Sequence, residues 1–267
     1  MHGLVWFNGS LVDASAPSVS VFSSAAQFGR GIFTTLRISD GAPFLWIKHW
    51  KRLVTNARAI DLDLSKFSEI VIAEAVEELI DANQVGSGRA RLTFFDETPG
   101  RLWSPIGLEG TSLLIATADL NPLPETYRLG LSRFTISSAS PLAGIKSCNY
   151  LERIVALDEG KRLGFDEAIQ TNERGEIASA CMANVFWTKD AKLFTPSLRT
   201  GCLAGTTREF VLENLECEEL EASIDEFRHA DEIFLTSAGL GVVSVAEFDG
   251  RQLDRKGHAI TNLPPTR

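Results

Sequence analysis

Residues 144–153 read Gly-Ile-Lys-Ser-Cys-Asn-Tyr-Leu-Glu-Arg and place a lysine at the start of a helical pattern. Lys146 follows an apolar turn that contains Gly144. A lysine amine becomes a catalyst when it forms a Schiff base with a carbonyl group. Most lysines are instead solvated surface charges, so the function of Lys146 has to be decided by the segments around it.

The size and charge of the chain limit the classes of protein it can belong to. It has 267 residues, of which 44% are hydrophobic and 23% are charged, an ordinary globular balance. This length allows one large domain or two smaller ones. The formal net charge of -9 argues against nucleic acid as a partner, because binding of a phosphate backbone needs a basic face. We expect a small-molecule substrate, and any anionic ligand must be held by a local basic site.

The cysteines and the apolar segments predict a cytoplasmic protein without membrane contact. The cysteines show no C-x-x-C spacing, and too few histidines accompany them for a zinc cluster, so we expect reduced thiols and no metal site. The first nine residues lack the charged start and long apolar run of a signal peptide, and no apolar stretch approaches the length of a transmembrane helix. The cysteines are Cys148, Cys181, Cys202 and Cys217.

Periodicity divides the first part of the chain into strands and two helices. Alternating apolar residues around the Asn8-Gly9 turn predict a hairpin. Residues 68–83 carry apolar side chains at helical spacing, and residues 47–60 contain no helix breaker, so both segments predict helices. The predicted strands are residues 4–7, 10–12, 31–38, 43–46, 90–95 and 112–118.

Residues 121–124, Asn-Pro-Leu-Pro, are the predicted linker, because no helix can cross two prolines that favour extended backbone. The linker separates a domain of residues 1–120 from a domain of residues 121–267 that carries Lys146. Each domain mixes strands and helices without a regular βαβ alternation, so we predict two α+β domains. The second domain is predicted to contain strands 129–137, 167–171, 185–188, 192–196 and 232–236 and helices 149–163 and 206–217.

Two segments are candidates for binding an anion. In residues 201–208, two glycines let the backbone approach a ligand, and Thr206 and Thr207 then open a helix whose free amides attract phosphate. The alternative is an ordinary helix cap, since threonine often caps helices. Arg52, in the segment His-Trp-Lys-Arg that starts at His49, could pair bidentately with phosphate or lie solvated on a helix surface.

Together these segments resemble the class IV, or fold-type IV, pyridoxal-phosphate enzymes, a family that contains branched-chain aminotransferases, D-amino-acid aminotransferases and aminodeoxychorismate lyase. The resemblance runs from about residue 27 to residue 243, and its pieces occur in the family's order. It implies a two-domain α+β fold like that of D-amino-acid aminotransferase, with pyridoxal 5'-phosphate as cofactor. The pieces are residues 28–33 (Phe-Gly-Arg-Gly-Ile-Phe), His49 with Arg52, Lys146 with residues 149–151 (Asn-Tyr-Leu), residues 184–186 (Asn-Val-Phe), Thr195 with Pro196, residues 201–208, and residues 234–237 (Phe-Leu-Thr-Ser).

The resemblance implies a role for each matching residue. Lys146 would form the Schiff base with the cofactor and then move the Cα proton of the substrate. Tyr150 would hydrogen-bond the phenolic oxygen of the cofactor, or else only pack against its neighbours. The cofactor phosphate would be held by Arg52, by the amides of Thr206 and Thr207, and by Thr236.

Ser179 departs from the family pattern. Counting back from Asn184, the family has a glutamate where this chain has Ser179, and Glu176 is three residues away with the wrong strand parity to replace it. The family's carboxylate keeps the pyridine nitrogen of the cofactor charged, whereas a serine hydroxyl can only hydrogen-bond that nitrogen. Transamination needs a long-lived delocalised carbanion, and elimination needs less because the leaving group removes the charge. Ser179 therefore favours a lyase, or an enzyme with weak or unusual activity, over an aminotransferase.

Two further segments resemble aminodeoxychorismate lyase. In residues 26–35, a threonine at the position of Thr35 faces the cofactor in that lyase, and strand alternation puts Phe33 on the same, substrate-facing side. Thr35 would then relay a proton during elimination. Residues 99–104 resemble the lyase loop whose arginine, here Arg101, pairs with a substrate carboxylate. Arg30 departs from most relatives, which carry an acidic residue between the two glycines, and leaves open a divergent subgroup with another substrate.

These observations leave three hypotheses. The first is a homodimeric lyase that converts 4-amino-4-deoxychorismate to 4-aminobenzoate and pyruvate in folate biosynthesis, with Lys146, Thr35 and Arg101 acting on the substrate. The second is a transaminase for a branched-chain or D-amino acid. The third is a cofactor-binding scaffold that has lost catalysis, against which the retention of Lys146 argues.

Overall fold

The computed structural model describes residues 1–97, 110–254 and 256–264. The chain divides into two compact units. Unit 1 consists of Met1–Asn121 and Ile145–Asn149, and unit 2 consists of Pro122–Gly144 and Tyr150–Arg267. Each unit combines a β-sheet with α-helices, so the α+β prediction is confirmed.

Unit 1 is built on one antiparallel sheet with three helices in its described residues. The strands are β1 (Leu4–Phe7), β2 (Ser10–Asp13), β3 (Gly31–Ser39), β4 (Ala42–Pro43), β5 (Gly88–Asp96) and β6 (Thr111–Ala118), and the helices are α1 (Ser24–Phe28), α2 (Trp46–Ala59) and α3 (Glu69–Ala82). The strands pair in the order β2-β1-β6-β5-β3-β4.

The core of unit 1 lies between this sheet and helices α2 and α3. Ile32, Leu36 and Ile38 of β3 are fully buried in one apolar cluster. Leu53 of α2 and Leu79 of α3 belong to the same cluster. Because successive strand residues point to opposite faces, the even-numbered residues of β3 face the helices and the odd-numbered residues face away from them.

The segment Ile145–Asn149 carries Lys146 and belongs to unit 1. The linker predicted at residues 121–124 instead put Lys146 in the domain of residues 121–267. The backbone explains this grouping. The N–H of Phe33 donates to the carbonyl of Lys146 over 3.0 Å, and the N–H of Cys148 donates to the carbonyl of Gly31 over 2.8 Å. The segment therefore extends the sheet beside the start of β3.

Unit 2 is built on a larger mixed sheet. Its strands are β7 (Tyr127–Leu131), β8 (Glu167–Thr171), β9 (Ile177–Ala180), β10 (Asn184–Lys189), β11 (Lys192–Pro196), β12 (Glu218–Leu220), β13 (Glu232–Ser237), β14 (Gly241–Phe248) and β15 (Arg251–Gln252), and its helices are α4 (Leu151–Arg162), α5 (Thr206–Asn214) and α6 (Ile224–Arg228). The order is β12-β11-β10-β13-β14-β7-β8-β9, and β15 pairs with β14. Strand β7 runs parallel to β8 and β14.

Aromatic side chains fill the core of unit 2. The ring centroid of Phe227 lies 5.4 Å from that of Trp187 and 5.1 Å from that of Phe248, both in edge-to-face contacts. Helix α5 packs against β13, and α4 packs against β8. Within the part of the chain that is described, no helix combines the length and apolar composition needed to cross a membrane.

Two predicted strands are shorter in the structure. The strand predicted over residues 129–137 ends at Leu131, because the Ser132 hydroxyl accepts a hydrogen bond from the N–H of Phe134 and turns the chain. The strand predicted over residues 43–46 is reduced to β4, because Leu45 has a left-handed φ of 57° and α2 begins at the next residue.

Several elements were not predicted. Helices α1 and α6 have five residues each, too few to show a helical period. All four residues of β9, Ile-Ala-Ser-Ala, are buried, so the strand has no polar alternation. Strands β12, β14 and β15 were also missed; β14 does carry an alternating burial pattern over its first four residues.

A buried carboxyl group anchors the turn that follows β9. Glu167 is 2% exposed, and its carboxyl oxygens accept hydrogen bonds from the backbone N–H groups of Ala168, Cys181 and Met182. Burial raises the pKa of Glu167 to about 7, although these hydrogen bonds act in the opposite direction. The turn just after Ser179 is thus held by a group that changes charge near neutral pH.

Glu167→Gln should change the pH dependence of stability. The pKa of Glu167 is higher in the folded chain than its ordinary value of 4.5. The contribution of its neutral carboxyl to the free energy of unfolding is therefore fully present below pH 4.5 and is lost as pH rises to about 7. Over this interval the wild type should lose about 3 kcal/mol relative to the variant. Urea unfolding at one fixed protein concentration measures this, with exposed Glu125→Gln as control. Parallel pH profiles for wild type and Glu167→Gln would contradict the assignment.

Candidate active site

Lys146 lies beside β3 with its amine close to an aromatic ring. Its Nζ is 4.4 Å from the centroid of the Phe33 ring, and its side chain is half-buried. The Cζ of Arg91, on the neighbouring strand β5, lies 3.7 Å from the same centroid. The ring of Phe33 therefore interacts with two cations, and this cation–π geometry orients the lysine amine.

Thr35 lies on the same side of the sheet as Phe33. It is half-buried, and β-pairing places it directly opposite Arg91. Strand alternation puts Thr34 on the other face. Of the predicted catalytic and substrate-contacting groups in unit 1, the Lys146 amine lies beside the Phe33 ring, and Thr35 is on the same side of the sheet as Phe33.

Helix α2 brings Arg52 and His49 to Thr34, and His49 is close enough to Lys146 for the charge of that lysine to act on it. The Nη2 of Arg52 donates to Oγ1 of Thr34 over 2.8 Å, and this Oγ1 lies 2.7 Å from Nδ1 of His49. Because the hydroxyl accepts a bond from Arg52, we assign its own proton to the bond with Nδ1. The hydroxyl of Thr34 therefore orients the guanidinium of Arg52, the predicted phosphate ligand of unit 1.

The buried imidazole of His49 is neutral. Burial lowers the pKa of His49 well below its ordinary value, and the positive charges of Arg52 and Lys146 lower it further. The neutral imidazole adds no positive charge beside Arg52. Two adjacent cations are therefore avoided between α2 and β3.

In unit 2, the first turn of α5 is shaped to accept an anion. Gly205 is the N-cap residue, and no side chain caps the helix. A Cβ at Gly205 would overlap Oδ1 of Asn184, whose Nδ2 donates to the carbonyl of Leu203 over 2.8 Å. Asn184 therefore holds the backbone that leads into the buried Thr206 and Thr207, where amides and the helix dipole attract negative charge.

Thr236 adds a hydroxyl without a partner at the same end of unit 2. It pairs directly with Asn184 between β13 and β10. It is 1% exposed, and its Oγ1 has no hydrogen-bond partner among the described residues. A buried hydroxyl left unpaired costs free energy, and a phosphate oxygen would satisfy it. This hydroxyl and the uncapped start of α5 fit the phosphate group that the resemblance implies.

Two arginines in the matching motifs stabilise the fold. Arg208 forms an ion pair with Glu219 and donates to the carbonyl of Pro196 over 2.8 Å. The Nε of Arg30 lies 3.5 Å from Oδ2 of Asp96. This ion pair connects the turn before β3 to the end of β5, which gives the unusual arginine between the glycines a structural role.

Ser179 contacts an arginine that the sequence analysis did not include in the site. The Nη1 of Arg153, in the first turn of α4, donates to Oγ of Ser179 over 3.1 Å. The same nitrogen lies 3.3 Å from the carbonyl oxygen of Cys181 and 3.5 Å from that of Ala180. Ser179 itself is 2% exposed.

Glu176, Tyr150 and Arg101, which the sequence analysis also discussed, differ in what the structure shows of them. Glu176 forms an ion pair with Arg174 over 2.7 Å, so its carboxylate is engaged within that pair. Tyr150 occupies the N-cap position of α4, and its ring centroid lies 5.5 Å from Cζ of Arg153. Arg101, the predicted substrate-binding arginine, lies outside the described residues.

His49 was matched to the family together with Arg52 but was given no role, and Arg153 was not included among the predicted site residues. His49 precedes Arg52 by three residues, a spacing that puts both side chains on one helical face. Arg153 is a cation in the first turn of a predicted helix, where the helix dipole disfavours positive charge, so its position calls for a compensating partner. The identity of that partner could not be inferred, because Ser179 is 26 residues away on a strand that was not predicted.

A sequence model of the amino-transferase class IV family matches residues 31–248, which is most of the chain. The chain therefore belongs to the class IV aminotransferase family. Its fold is similar to that of solved relatives: the branched-chain amino acid aminotransferase from Escherichia coli superposes with a TM-score of 0.89 at 25% identity, covering 98% of this chain and 92% of that one.

Relatives of more than one activity are similar to this chain. The D-alanine aminotransferase of Bacillus licheniformis is 30% identical over 256 residues, which cover 93% of this chain and 89% of the relative. The aminodeoxychorismate lyase of Bacillus subtilis is 28% identical over 266 residues, covering 92% of this chain and 87% of the relative. The two identities are too close to separate a lyase from an aminotransferase.

His49→Gln should reduce the acid sensitivity of the fold. The pKa of His49 is lower in the folded chain than in the unfolded chain, so its stabilising effect is present above about pH 6.5 and is lost as pH falls. Below that pH the wild type should lose up to about 1.4 kcal/mol per pH unit relative to the variant. Urea unfolding across this range tests the slope. The exposed His229→Gln is the matched control, and equal slopes in His49→Gln and wild type would refute a buried neutral imidazole.

Proposed function

We propose that this chain is a lyase that converts 4-amino-4-deoxychorismate to 4-aminobenzoate and pyruvate, a reaction of folate biosynthesis. Its cofactor is pyridoxal 5'-phosphate, as membership of the class IV family indicates. The unpaired hydroxyl of Thr236 and the uncapped start of α5 fit the cofactor phosphate. The similarity to the aminodeoxychorismate lyase of Bacillus subtilis supports the choice of substrate.

The observation that carries the proposal is the pair of buried Ser179 and half-buried Arg153. Ser179 stands where the family resemblance implies a glutamate, and its hydroxyl is hydrogen-bonded to a cation. A hydroxyl at this place cannot hold a proton on the pyridine nitrogen as a carboxylate does. The site is thus better suited to a reaction whose leaving group removes the electron pair at once, which is an elimination.

The chain's own residues would hold the cofactor by charge and hydrogen bonds. The guanidinium of Arg52, oriented by Thr34, supplies a permanent positive charge for the phosphate. Ser179 would face the pyridine nitrogen, and Tyr150 the phenolic oxygen. When bound, the cofactor supplies a conjugated ring that withdraws electrons from the carbon attached to the substrate nitrogen. The proposed phosphate ligands are Arg52, Thr206, Thr207 and Thr236.

Lys146 would perform the proton transfer. Its Nζ, held near the ring of Phe33, takes the proton from the substrate carbon that bears the amino group. The electron pair of that C–H bond forms a new double bond in the substrate ring, the C–O bond to the adjacent carbon breaks, and enolpyruvate leaves with its electrons. Thr35 relays a proton to the methylene carbon of enolpyruvate, which yields pyruvate. Phe33 would pack against the substrate, and Arg101 would pair with one of its carboxylates.

The direct test is release of pyruvate from 4-amino-4-deoxychorismate by the holoenzyme, followed with a coupled lactate dehydrogenase assay. Lys146→Ala should lower the rate by at least about 100-fold, because it removes the general base. Lys161→Ala, an exposed lysine on α4, is the matched control and should retain the wild-type rate. Pyruvate release no faster than with Lys146→Ala would rule out the lyase.

The second candidate is an aminotransferase, which the 30% identity to a D-alanine aminotransferase favours. An aminotransferase converts its bound cofactor to the pyridoxamine form with an amino acid alone. The same preparations should therefore be mixed with D-alanine and with L-leucine, without an oxo acid, while the visible absorbance of the bound cofactor is followed. Loss of this absorbance together with no release of pyruvate would assign the chain to the aminotransferases.

We further propose that the chain works as a homodimer, as the family resemblance implies. Leu151, Ile154 and Val155 lie at positions i, i+3 and i+4 of α4 and are 72%, 41% and 40% exposed. This spacing makes one apolar stripe on the helix. A second copy of the chain that covers the stripe would remove these side chains from water.

Ile154→Glu should shift the chain from dimer to monomer, because it would place a charge in the apolar contact. Sedimentation equilibrium at micromolar concentration measures the mass. Leu198→Glu, at a side chain that is 49% exposed elsewhere in unit 2, is the control and should leave the mass unchanged. A wild-type mass equal to one chain, or no change with Ile154→Glu, would count against this interface.

A further inference from the structure

Arg153 is fixed at the end of β9 by three acceptors. Its Nη1 donates to Oγ of Ser179 over 3.1 Å and is 3.3 Å from the carbonyl oxygen of Cys181 and 3.5 Å from that of Ala180. The side chain is half-buried. Carbonyl oxygens compensate the partial loss of water around the guanidinium, so the cation is retained at this position in the folded chain.

The position of this cation in its helix is unfavourable on its own. Arg153 is the third residue of α4, and positive charge in the first turn of a helix opposes the helix dipole. Glu152, also in this turn, has the sign that the dipole favours. The cost at Arg153 is offset by what its guanidinium contacts, which are the Ser179 hydroxyl, the carbonyl oxygens at the end of β9 and the ring of Tyr150.

The bond from Arg153 determines the direction of the Ser179 hydroxyl. A hydroxyl has one proton and two lone pairs, and here one lone pair accepts from a guanidinium that stays charged at all working pH values. Among the described residues, no acceptor is hydrogen-bonded to the Ser179 proton. The hydroxyl is thus prepared to donate to a ligand atom that carries a lone pair.

Of the ionisable groups described near Ser179, the thiols stay neutral, whereas Glu167 becomes negatively charged as pH rises through about 7. Burial raises the pKa of Cys181 to about 12 and also raises the pKa of Cys202, so both remain neutral thiols. The carboxyl of Glu167 points to the backbone of the turn after β9, and burial raises its pKa to about 7. Tyr150 contributes a ring beside Arg153.

We propose that Arg153 is a positioning residue that makes Ser179 a hydrogen-bond donor to the pyridine nitrogen and keeps that nitrogen unprotonated. This inference rests on the proposed binding of pyridoxal phosphate at Ser179. A permanent positive charge one hydroxyl away from the nitrogen disfavours a second positive charge on it. A donated O–H bond needs the nitrogen lone pair, so it stabilises the same neutral form.

The neutral ring selects between reactions. It withdraws electrons less strongly than a protonated ring, so a carbanion that must persist until it is reprotonated is poorly stabilised. An elimination is affected less, because the electron pair leaves with the departing oxygen in the step that follows proton removal. Arg153 would therefore act on the choice of reaction through Ser179, without touching the substrate.

The test observes the ring nitrogen directly. The full chain is reconstituted with pyridoxal phosphate labelled with nitrogen-15 in the ring, and the nitrogen resonance is recorded from pH 5.5 to 9. The wild type should show an unprotonated, hydrogen-bonded nitrogen at neutral pH. Arg153→Met should raise the pH of half-protonation by at least roughly one unit, because the positive charge is removed. Arg153→Lys should stay near the wild type, because the charge is kept.

Three variants control for structural effects. Arg162→Met removes an exposed arginine from the same helix and should leave the resonance unchanged. Arg153→Gln keeps a donor for Ser179 and the carbonyl oxygens but has no charge, so its ring nitrogen should titrate as in Arg153→Met. It replaces Arg153→Met in the test if Arg153→Met folds poorly. Ser179→Ala should lose the hydrogen-bond shift and remain unprotonated. A merely structural Arg153 would lower the melting temperature in Arg153→Gln while the nitrogen resonance stays at the wild-type position.

The outcomes separate this inference from the proposed function. A protonated nitrogen in the wild type at pH 7, or identical titrations in wild type, Arg153→Met and Arg153→Gln, overturns the role of Arg153 even if pyruvate is released. An unprotonated nitrogen that titrates as expected upholds it even if 4-amino-4-deoxychorismate is not cleaved. Failure of the chain to bind the cofactor overturns both.

Discussion

The backbone pairing between β3 and the segment that carries Lys146 is the constraint on which the proposed catalytic groups of unit 1 depend. An antiparallel bridge joins Ile32 to Ser147, and N–H groups on both sides of it donate across the pair. This register leaves no freedom in the position of the Lys146 backbone relative to Phe33. The amine consequently lies close to the Phe33 ring and on the side of the sheet where alternation also places Thr35.

In each unit, the candidate site contains an arginine that donates a hydrogen bond to a hydroxyl. In unit 1, Arg52 donates to Thr34, which in turn contacts a neutral buried histidine. In unit 2, Arg153 donates to Ser179 at the end of a buried strand. In both cases a side chain that is always charged removes the ambiguity of a hydroxyl that can donate or accept. The two pairs differ: Thr34 holds the guanidinium of Arg52 in place, whereas Arg153 sets the direction of the Ser179 hydroxyl.

The features that could be predicted from the sequence are those with a local signal. Periodicity identified α3, the absence of helix breakers identified α2, and motif order identified the family. The structure differs where the deciding interaction is long-range or the element is short. The placement of Lys146 on the edge of β3 depends on backbone bonds between residues more than a hundred positions apart, for which no side-chain pattern exists. The partner of Ser179 was missed for a related reason, because β9 is fully buried and its small residues show no alternation.

The discontinuous composition of unit 1 has a consequence for synthesis of the chain on the ribosome. The stretch Met1–Asn121 can form most of its sheet and its apolar core once it has left the ribosome. The start of β3 stays unpaired on one side until Ile145–Asn149 has also been made. Domains generally fold in the order in which they are made. Here the nascent chain must wait for part of the second unit to be translated, and an unpaired strand edge is exposed during that interval. Lys146, the proposed Schiff-base residue, lies in the segment that completes this edge of the first unit.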